Sequence, residues 1–569
     1  MKHAALLAFV PFACIVAAAR IGAQETPQAG GPAVKGAMLC PPDDTTRFYH
    51  ARVTLAPAEC AYAITETLVG ERLDVFVARV NGELTQVMPD GRVDRHANGK
   101  IPAGVEADFL VRCPWESGKS YPITLRGAKQ EGDTPFTLRA EAQAPASASG
   151  FPFPGWAEHR VLVLRDDFGI ERKNSPYVIF VSDEASRVAS WAKELRVAAY
   201  DLATGATREI PSQVLYEKRR FDTPVQEKAY TTCEVAFLVD VPAKGKSYYI
   251  LAYGNPQAEA PSYESDLIVS QRDDGATWIE NEFFEAQLDP HNQSLNGFRS
   301  KSFGTGDKRT FGLPEQPGYT LHYNPDVWVK NRSWTHTKGW NPPPHRVMQQ
   351  GPVAVVWRRW GHLPESDEVE VNVTYHFFSK TPYVLVESTI DVLEDVVVNA
   401  LRNEEVVYMP STEVDHAGYR RANGEVVYRP VEQGKGLTPG IVDIIAAEAP
   451  YVCLTREANK MGLASIRLKQ LAGTRGAWPP VLASTGTIIA DYGWNFRYWS
   501  RSLVYPWGDY VPDHPVVLNT DTYYGEKSAF CVFPLGDGET PEARLQYVDA
   551  LYRELSQPIA IDHQGAGPW

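Results

Sequence analysis

Residues 351–408 read GPVAVVWRRWGHLPESDEVEVNVTYHFFSKTPYVLVESTIDVLEDVVVNALRNEEVVY, and this stretch decides the fold. In Val369–Phe377 the odd positions are aliphatic or aromatic and the even positions are polar. A period of two places alternate side chains on opposite faces of a sheet. The short link that ends in Pro382 is typical of a hairpin turn. The stretch therefore predicts three or four antiparallel strands with one buried face.

The opposite face of this sheet is predicted to carry polar side chains from several strands: Arg358, His362, Asn372, His376, Glu387 and Asp391. A half-buried antiparallel sheet with a solvated outer face explains them without any function. The alternative is a polar face flanked by aromatic residues that holds a ligand. Both interpretations stay open from the sequence.

Composition favours short strands over helices along the whole chain. The 569 residues include 43 Gly, 43 Pro, 27 Tyr and 14 Trp, which suits many strands joined by turns. A chain of this length exceeds one hydrophobic core, so about two to four domains are expected. The net charge of −14 argues against nucleic acid and anionic membranes as partners.

The N-terminus resembles an export signal. Lys2 precedes the apolar run AALLAFVPFACIVAAA within residues 1–23, which predicts a secretory signal peptide and a secreted or periplasmic protein. No other apolar run approaches the roughly 20 residues of a membrane helix. Export permits disulfides, and one local bridge among Cys40, Cys60 and Cys113 is expected. The absence of CxxC pairs argues against a structural zinc site.

Strand patterns and linker-like stretches predict an all-β chain that is divided into several regions. We predict a flexible segment 24–37, a small β-sandwich 38–142, a linker 143–156 and a second β-sandwich 157–270. Residues 271–569 form a large antiparallel sandwich that ends in a helix. Thr540, Pro541 and Glu542 give that helix a cap, a first-turn proline and an acidic first turn. Apolar residues then recur at helical spacing from Leu545 to Leu555.

The opening of the third region carries a family resemblance. Ile279-Glu280-Asn281, Phe283-Phe284, Gln287-Leu288-Asp289 and Ser294–Phe298 resemble the strand–turn–strand that opens the large β-domain of α-mannosidase-like enzymes. Related openings occur in galactose-mutarotase-like super-sandwich domains, including those of polysaccharide lyases. The resemblance covers roughly residues 275–535 and implies a super-sandwich fold. It includes no catalytic signature, and no mannosidase metal-binding barrel precedes it.

Three clusters of the third region combine aromatic rings with residues that bind or transfer protons. The first, 324–350, is rich in Trp and Pro and is either a sugar-binding roof or a loop packed on its own domain. The second and third surround Arg402 and Arg501. Arginine beside aromatic rings suits a carboxylate on a ring, although a surface cation–π pair explains any single case. The substrate-binding candidates are Arg358, Arg402, Asn403, Glu404, Trp334, His336, Trp340, Trp499 and Arg501.

These residue types fit a lyase that cleaves a uronate-containing glycan by β-elimination. That reaction needs neutralisation of the carboxylate, a base for the C5 proton and an acid for the leaving oxygen. The catalytic candidates are His376, His345, Tyr419 and His416, although a lone histidine such as His376 also serves as a cross-sheet hydrogen-bonding residue.

Two alternatives to the lyase stay open, and both still take a polysaccharide or oligosaccharide as partner. A glycoside hydrolase would use Glu404 or Glu405 with a distant carboxylate. A non-catalytic carbohydrate-binding protein is the other alternative. No resident cofactor or metal is expected. Ca²⁺ as a bridge to a substrate carboxylate is left open, without EF-hand-like spacing to support it.

Overall fold

A computed structural model shows an all-β protein, as the alternation and the turn residues predict. The predicted signal peptide lies outside the residues that the structure describes. The described residues are 31–40, 49–69, 72–73, 75–80, 83–86, 100–101, 103–104, 107–113, 120–129, 134–143, 153, 155–156, 158–183, 188–200, 207–223, 226–301, 310–311, 325–340, 343–408, 414–431, 440–445, 449–474, 486–491, 497–504 and 515–567.

The N-terminal region forms two five-stranded sheets. Its strands are β1 (Ala33–Cys40), β2 (Tyr49–Ala56), β3 (Tyr62–Val69), β4 (Arg72–Leu73), β5 (Val75–Val80), β6 (Glu83–Gln86), β7 (Lys100–Ile101), β8 (Ala107–Cys113), β9 (Ser120–Lys129) and β10 (Pro135–Gln143). One sheet has the order β1-β2-β8-β5-β6, and the other has β10-β9-β3-β4 with β7 paired to β3. Strand β1 begins at Ala33, so the segment 24–37 that was predicted to be flexible overlaps a strand.

The second region also contains two sheets and a single helical turn. Its elements are β11 (Glu158–Arg165), β12 (Arg172–Asp183), α1 (Trp191–Glu194), β13 (Arg196–Tyr200), β14 (Thr207–Ile210), β15 (Ser212–Thr223), β16 (Gln226–Val241) and β17 (Lys246–Tyr253). The inward side chains of both sheets form one core around Trp191, Phe237 and Leu251. Each strand therefore contributes alternate residues to a shared apolar layer.

The third region is the largest and contains most of the strands. They are β18 (Ile268–Gln271), β19 (Thr277–Glu280), β20 (Phe284–Leu288), β21 (Leu295–Ser300), β22 (Thr310–Phe311), β23 (Asp326–Val329), β24 (Trp334–His336), β25 (His345–Gln350), β26 (Ala354–Leu363), β27 (Ser366–Phe378), β28 (Tyr383–Val392), β29 (Val396–Tyr408), β30 (His416–Arg420), β31 (Val426–Pro430), β32 (Gly440–Ile445), β33 (Tyr451–Arg456), β34 (Met461–Thr474), β35 (Gly486–Asp491), β36 (Arg497–Val504), β37 (Val516–Leu518), β38 (Thr522–Pro534) and β39 (Ala560–Gly567).

Three sheets of this region share one hydrophobic core. A nine-stranded sheet has the order β25-β26-β27-β28-β38-β34-β33-β30-β31, and a seven-stranded sheet has β24-β23-β29-β36-β35-β32 with β37 on β29. A five-stranded sheet has the order β18-β19-β20-β21-β22. Inward residues from all three sheets, such as Phe284, Val371 and Leu401, belong to one buried cluster. This arrangement is a large antiparallel sandwich.

The stretch 351–408 forms β26 to β29 with the predicted alternation. Val369, Val371, Val373, Tyr375 and Phe377 are fully buried in the sandwich core. Asn281, in the motif that opens the third region, fixes the turn after β27. Its Nδ2 donates to the carbonyls of Phe378 at 3.0 Å and Thr381 at 2.7 Å. This gives the Ile279-Glu280-Asn281 motif a structural role.

The C-terminal helix forms as predicted and is followed by a strand that the sequence did not reveal. Helix α2 (Pro541–Arg544) is capped by Thr540, whose hydroxyl accepts from Ala543 N, and α3 (Gln546–Ser556) follows it. Val548 and Leu551 pack on the outer side of the nine-stranded sheet. Strand β39 then pairs with β11, so the chain end completes a sheet of the second region.

Candidate functional site

The predicted site residues lie in four separate places. Asn403, Glu404, Trp499, Arg501 and Tyr419 point into the sandwich and are almost completely buried. His376, Arg358 and His345 share the outer side of the nine-stranded sheet. The remaining candidates lie near the β23–β24 end of the seven-stranded sheet or at the β30 strand: Trp334, His336, Trp340, Arg402 and His416.

The buried polar cluster consists of Asn403, Glu404, Arg501, Tyr524 and Glu526. Arg501 Nη1 contacts the carboxylates of both Glu404 and Glu526. Asn403 Nδ2 donates to Glu526 Oε2 at 3.0 Å, and the Tyr524 hydroxyl donates to the same oxygen at 3.1 Å. Strands of the seven-stranded sheet supply Asn403, Glu404 and Arg501, whereas β38 of the nine-stranded sheet supplies the other two. The cluster therefore joins the two halves of the sandwich.

A local distortion of β29 places Glu404 in this cluster. The register between β29 and β36 shifts between Asn403 and Val406, and Glu404 has a φ of 49°. A non-glycine residue in the left-handed region carries strain that the surrounding structure must offset. Because the strand bulges here, the neighbours Asn403 and Glu404 both reach inward, which regular alternation would forbid.

Burial controls ionisation in the cluster. Burial raises the pKa of Glu526 to about 8, outweighing the opposing effects of Arg467 and the Asn403 hydrogen bond. Burial also lowers the pKa of Arg501 to about 10. Glu526 is therefore mostly protonated at neutral pH, whereas Arg501 keeps its charge. A protonated Glu526 carboxyl close to a second carboxyl group, that of Glu404, forms a pair that can exchange a proton.

The second candidate site is the polar face, which we define as Arg358, Trp360, Asn372, His376 and Glu387. These residues come from β26, β27 and β28 and point away from the core. Arg358 Nε donates to Asn372 Oδ1 at 3.0 Å, and its guanidinium carbon lies 5.0 Å from the centroid of the Trp360 ring. The ring of the exposed His345 stacks on the Trp360 ring, with the two ring centroids 5.4 Å apart. The face thus combines a cation, an amide and a supported aromatic surface.

His376 is the least accessible member of the polar face. Its side chain is 16% exposed, and its Nε2 lies 3.9 Å from Glu387 Oε2. Burial lowers the pKa of His376 to about 4, although the Glu387 carboxylate acts in the opposite direction. Glu387 is half-exposed and bonds Lys527 Nζ at 2.7 Å. His376 is consequently a neutral imidazole at neutral pH, with a buried Nε2 that has the Glu387 carboxylate as a neighbour.

Tyr216 of the second region reaches the edge of the polar face. It packs against a buried cluster that includes Val356 and Phe378, two neighbours of His376 on the same side of the sheet. Burial raises the pKa of Tyr216, as does the charge of Glu234, while Arg358 opposes them. The phenol is therefore protonated at neutral pH and can donate a hydrogen bond or a proton.

The Trp-rich segment 324–350 contributes strands to the sandwich, which corrects its prediction as a roof over the polar face. Trp340 is buried in the core, and its Nε1 donates to the His362 carbonyl at 2.5 Å. Trp334 stacks on Trp328 at 5.6 Å, and the Arg402 guanidinium lies 4.5 Å from the Trp334 ring. His336 ends the same short strand, β24. Burial of Trp340 in the core and stacking of the Trp334 and Trp328 rings reduce the apolar area that the segment exposes.

Two predicted catalytic residues are far from the polar face. Tyr419 has no exposed surface and packs in the sandwich core, because it occupies an inward position of β30. His416 lies on the same strand, where its Nδ1 is 2.9 Å from Asp415 Oδ1 and its ring stacks on Tyr428 at 5.0 Å. Neither residue converges with His376, and both have structural contacts that explain their positions.

Sequence reasoning missed Glu526, Tyr524 and Tyr216. Thr522, Tyr524, Glu526 and Ser528 occupy alternate buried positions of β38, so a charged residue on the inward side of a strand was a usable signal. Tyr216 gave no such signal, because it meets the polar face only through packing between two regions. The described residues contain no metal-binding group of three or more His, Cys, Asp or Glu. Within those residues, none of the helices has the length and apolar character to cross a membrane.

No family model matches this chain, and no curated protein matches it. Solved structures give weak similarities. An α-mannosidase from Enterococcus faecalis V583 has a TM-score of 0.43 and 15% identity, over 74% of this chain and 46% of that one. An α-galactosidase from Lactobacillus brevis has a TM-score of 0.27 and 10% identity, over 48% and 40% of the two chains.

A putative aldose 1-epimerase from Escherichia coli K12 has a TM-score of 0.28 and 10% identity, over 48% of this chain and all of that one. These proteins include the α-mannosidase and mutarotase-like groups that the opening of the third region resembles. The chain spans less than half the length of the α-mannosidase. Because the TM-scores are below 0.5, we base the function of this chain on its own side chains.

Proposed function

We propose that this protein is a carbohydrate-active enzyme that binds an acidic glycan on the polar face. The observation that carries the proposal is the grouping of Trp360, Arg358 and Asn372 on one accessible side of the sheet. A tryptophan ring stacks on the apolar side of a sugar ring. A guanidinium grips a carboxylate in two hydrogen bonds, which a lysine does not reproduce. This set suits a uronate better than a neutral sugar.

The groups next to this binding surface can perform β-elimination. Arg358 would pair with the uronate carboxylate, and the neutral His376 would take the C5 proton after Glu387 swings away from its Nε2. The electron pair of the C5–H bond forms the C4–C5 double bond as the bond from C4 to the leaving oxygen breaks. Tyr216 would give that oxygen its proton. Each of the three requirements of the reaction has a side chain at the polar face.

Hydrolysis is the second candidate reaction, and the buried polar cluster favours it. Glu526, with its raised pKa, and Glu404 form the acid and carboxylate pair that glycoside hydrolysis uses. Both carboxyls are at most 6% exposed, so a sugar needs an opening of the sandwich to reach them. This burial makes hydrolysis the less direct proposal.

One experiment tests binding and separates the reactions. The protein is incubated with oligoglucuronate, oligogalacturonate and a neutral glucan, and affinity electrophoresis, ultraviolet absorbance and reducing ends are measured. Elimination yields an absorbing C4–C5 double bond together with a new reducing end. Reducing ends without absorbance identify hydrolysis, and retardation without product identifies a binding protein. Equal behaviour of wild type, Arg358→Ala and Trp360→Ala would overturn the polar face as the site.

A further inference from the structure

The second region contains a pocket of its own. Its volume is about 600 Å³, within the range of roughly 300–1,000 Å³ that small-ligand sites occupy. Strands β13, β14, β16 and β17 supply its walls: Ala199, Tyr200, Arg208, Ile210, Leu238, Asp240, Lys246, Ser247, Tyr248 and Tyr249. The pocket therefore belongs to the β-sandwich of residues 157–270 and shares no residue with the polar face.

Tyr249 lines the pocket, and hydrogen bonds hold its phenol in place. Tyr249 is 4% exposed, and its hydroxyl accepts from Asp240 N at 2.8 Å and donates to the Asp240 carbonyl at 3.2 Å. Asn174 N donates to Asp240 Oδ1 at 2.8 Å, which orients the Asp240 carboxylate. A rigid ring and an oriented carboxylate give a ligand a defined surface and a hydrogen-bond acceptor for its hydroxyl groups.

The pocket also holds two cationic side chains, and one of them, Arg208, makes no ion pair within the described residues. Its neighbour Glu209 already bonds the Tyr263 hydroxyl at 2.7 Å. Lys246 is the second cation. A guanidinium without an anion beside a Tyr-lined pocket offers the bidentate donor set that a carboxylate accepts. The local charge is thus opposite to that of the whole chain.

We propose that this pocket binds a single sugar residue that carries a carboxylate. Arg208 holds the carboxylate, Lys246 adds positive charge, the exposed part of Tyr200 covers one side of the ring, and Asp240 accepts hydrogen bonds from ring hydroxyls. This inference rests on the proposed function and extends it. The pocket adds a second contact for an acidic glycan, separate from the polar face. The pocket then serves as an anchoring site rather than a cleavage site.

The test is an NMR titration of the full chain with glucuronate and, in parallel, with glucose. The expected result is a saturable shift with glucuronate at a Kd of about 1 mM, and no saturation with glucose. Arg208→Ala should raise the Kd about 10- to 100-fold, because a hydrogen bond to a charged group is lost. Lys173→Ala removes an exposed cation outside the pocket and should leave the Kd unchanged.

Further variants keep the result interpretable. Tyr200→Ala removes a half-buried ring from the pocket wall and should weaken glucuronate binding, with circular dichroism checking that the variant keeps its fold. Because the polar face is itself proposed to bind a uronate, the titration is repeated in Trp360→Ala and in Trp360→Ala with Arg208→Ala, and the glucuronate binding that the second change weakens belongs to the pocket, so failure of the two sites can be told apart. Equal binding of glucose, an unchanged Kd in Arg208→Ala, or no saturation with glucuronate would each overturn the proposal.

Discussion

The buried polar cluster and the polar face use similar side chains, but the cluster lies inside the sandwich and the polar face lies on the outer side of the nine-stranded sheet. Glu526 and Arg501 are shielded inside the sandwich, whereas Arg358 and Glu387 are open to solvent on the outside of the nine-stranded sheet. Burial raises the pKa of Glu526, so that this carboxyl keeps its proton at neutral pH. It also makes the contacts of Arg501 with both carboxyl groups part of the structural framework. Arg358 and Glu387 are accessible to solvent, so a ligand can contact them directly. Each prediction below tests this division, in order of the expected effect.

Removal of the central cation should produce the largest loss of stability. Arg501→Met leaves Glu404 and Glu526 buried without the guanidinium that contacts both. We expect the free energy of unfolding to fall by about 3–5 kcal/mol. Denaturant unfolding checks this, with Arg358→Met as the matched change on the polar face. Similar losses in the two variants would remove the distinction between a framework cluster and an open face.

The raised pKa of Glu526 gives the buried polar cluster a signature in pH. The folded-state pKa of about 8 lies above the usual value of 4.5, so the folded state holds the proton more tightly than the unfolded state. This stabilisation is full below pH 4.5 and is lost as pH rises through 8.

Glu526→Gln should remove this loss, because glutamine keeps the shape and stays neutral. Unfolding free energies of both proteins, measured from pH 5 to 9, provide the check. The wild-type curve should fall relative to that of the variant as pH rises. Parallel curves would mean that Glu526 is ionised in the folded protein throughout this range.

His376 should show the opposite dependence. Its folded pKa of about 4 lies below the usual 6.5, so its contribution is present above pH 6.5 and is lost as pH falls through 4. When the pH falls from 6.5 to 4, the free energy of unfolding of the wild type should therefore decrease more than that of His376→Gln. His345→Gln is the control, because His345 is exposed on the same side of the sheet. A His345→Gln curve that matched the His376→Gln curve would contradict the assigned burial.

The smallest effect on stability is expected at the polar face. Arg358→Ala removes an exposed side chain, and surface changes of this kind alter the unfolding free energy by less than about 0.5 kcal/mol. Thermal unfolding with circular dichroism provides the measurement. A large destabilisation would assign Arg358 to the framework and weaken the case for a binding role.

Alternation and turn chemistry were enough to predict the all-β fold, the strands of residues 351–408 and the C-terminal helix, since these depend on local pattern. The same reasoning grouped His376, Arg358 and Asn372 on one face, whereas the position of His345 beside them follows from the pairing of β25 with β26. It failed for Tyr419 and Trp340, because their burial depends on which sheets pack together. It also gave no sign that Asn403 and Glu404 both reach inward, because this depends on a bulge in β29.

The pairing of β39 with β11 was beyond local reasoning for a similar reason. These strands are far apart in sequence, and nothing in either one specifies the other. Tyr216 likewise reaches the polar face only because the second region packs against the nine-stranded sheet. Contacts between distant segments reflect the whole fold, and sequence periodicity does not encode them.

The most direct test of the central claim is a calorimetric titration of an acidic oligosaccharide into the wild type, Trp360→Ala and Trp334→Ala. Trp334 is the matched control, a partly exposed tryptophan on the seven-stranded sheet. We expect Trp360→Ala to weaken binding about tenfold or more, since a stacked aromatic contact contributes strongly to affinity. Trp334→Ala should bind as the wild type does. Loss of binding in Trp334→Ala with full retention in Trp360→Ala would contradict the polar face as the glycan site.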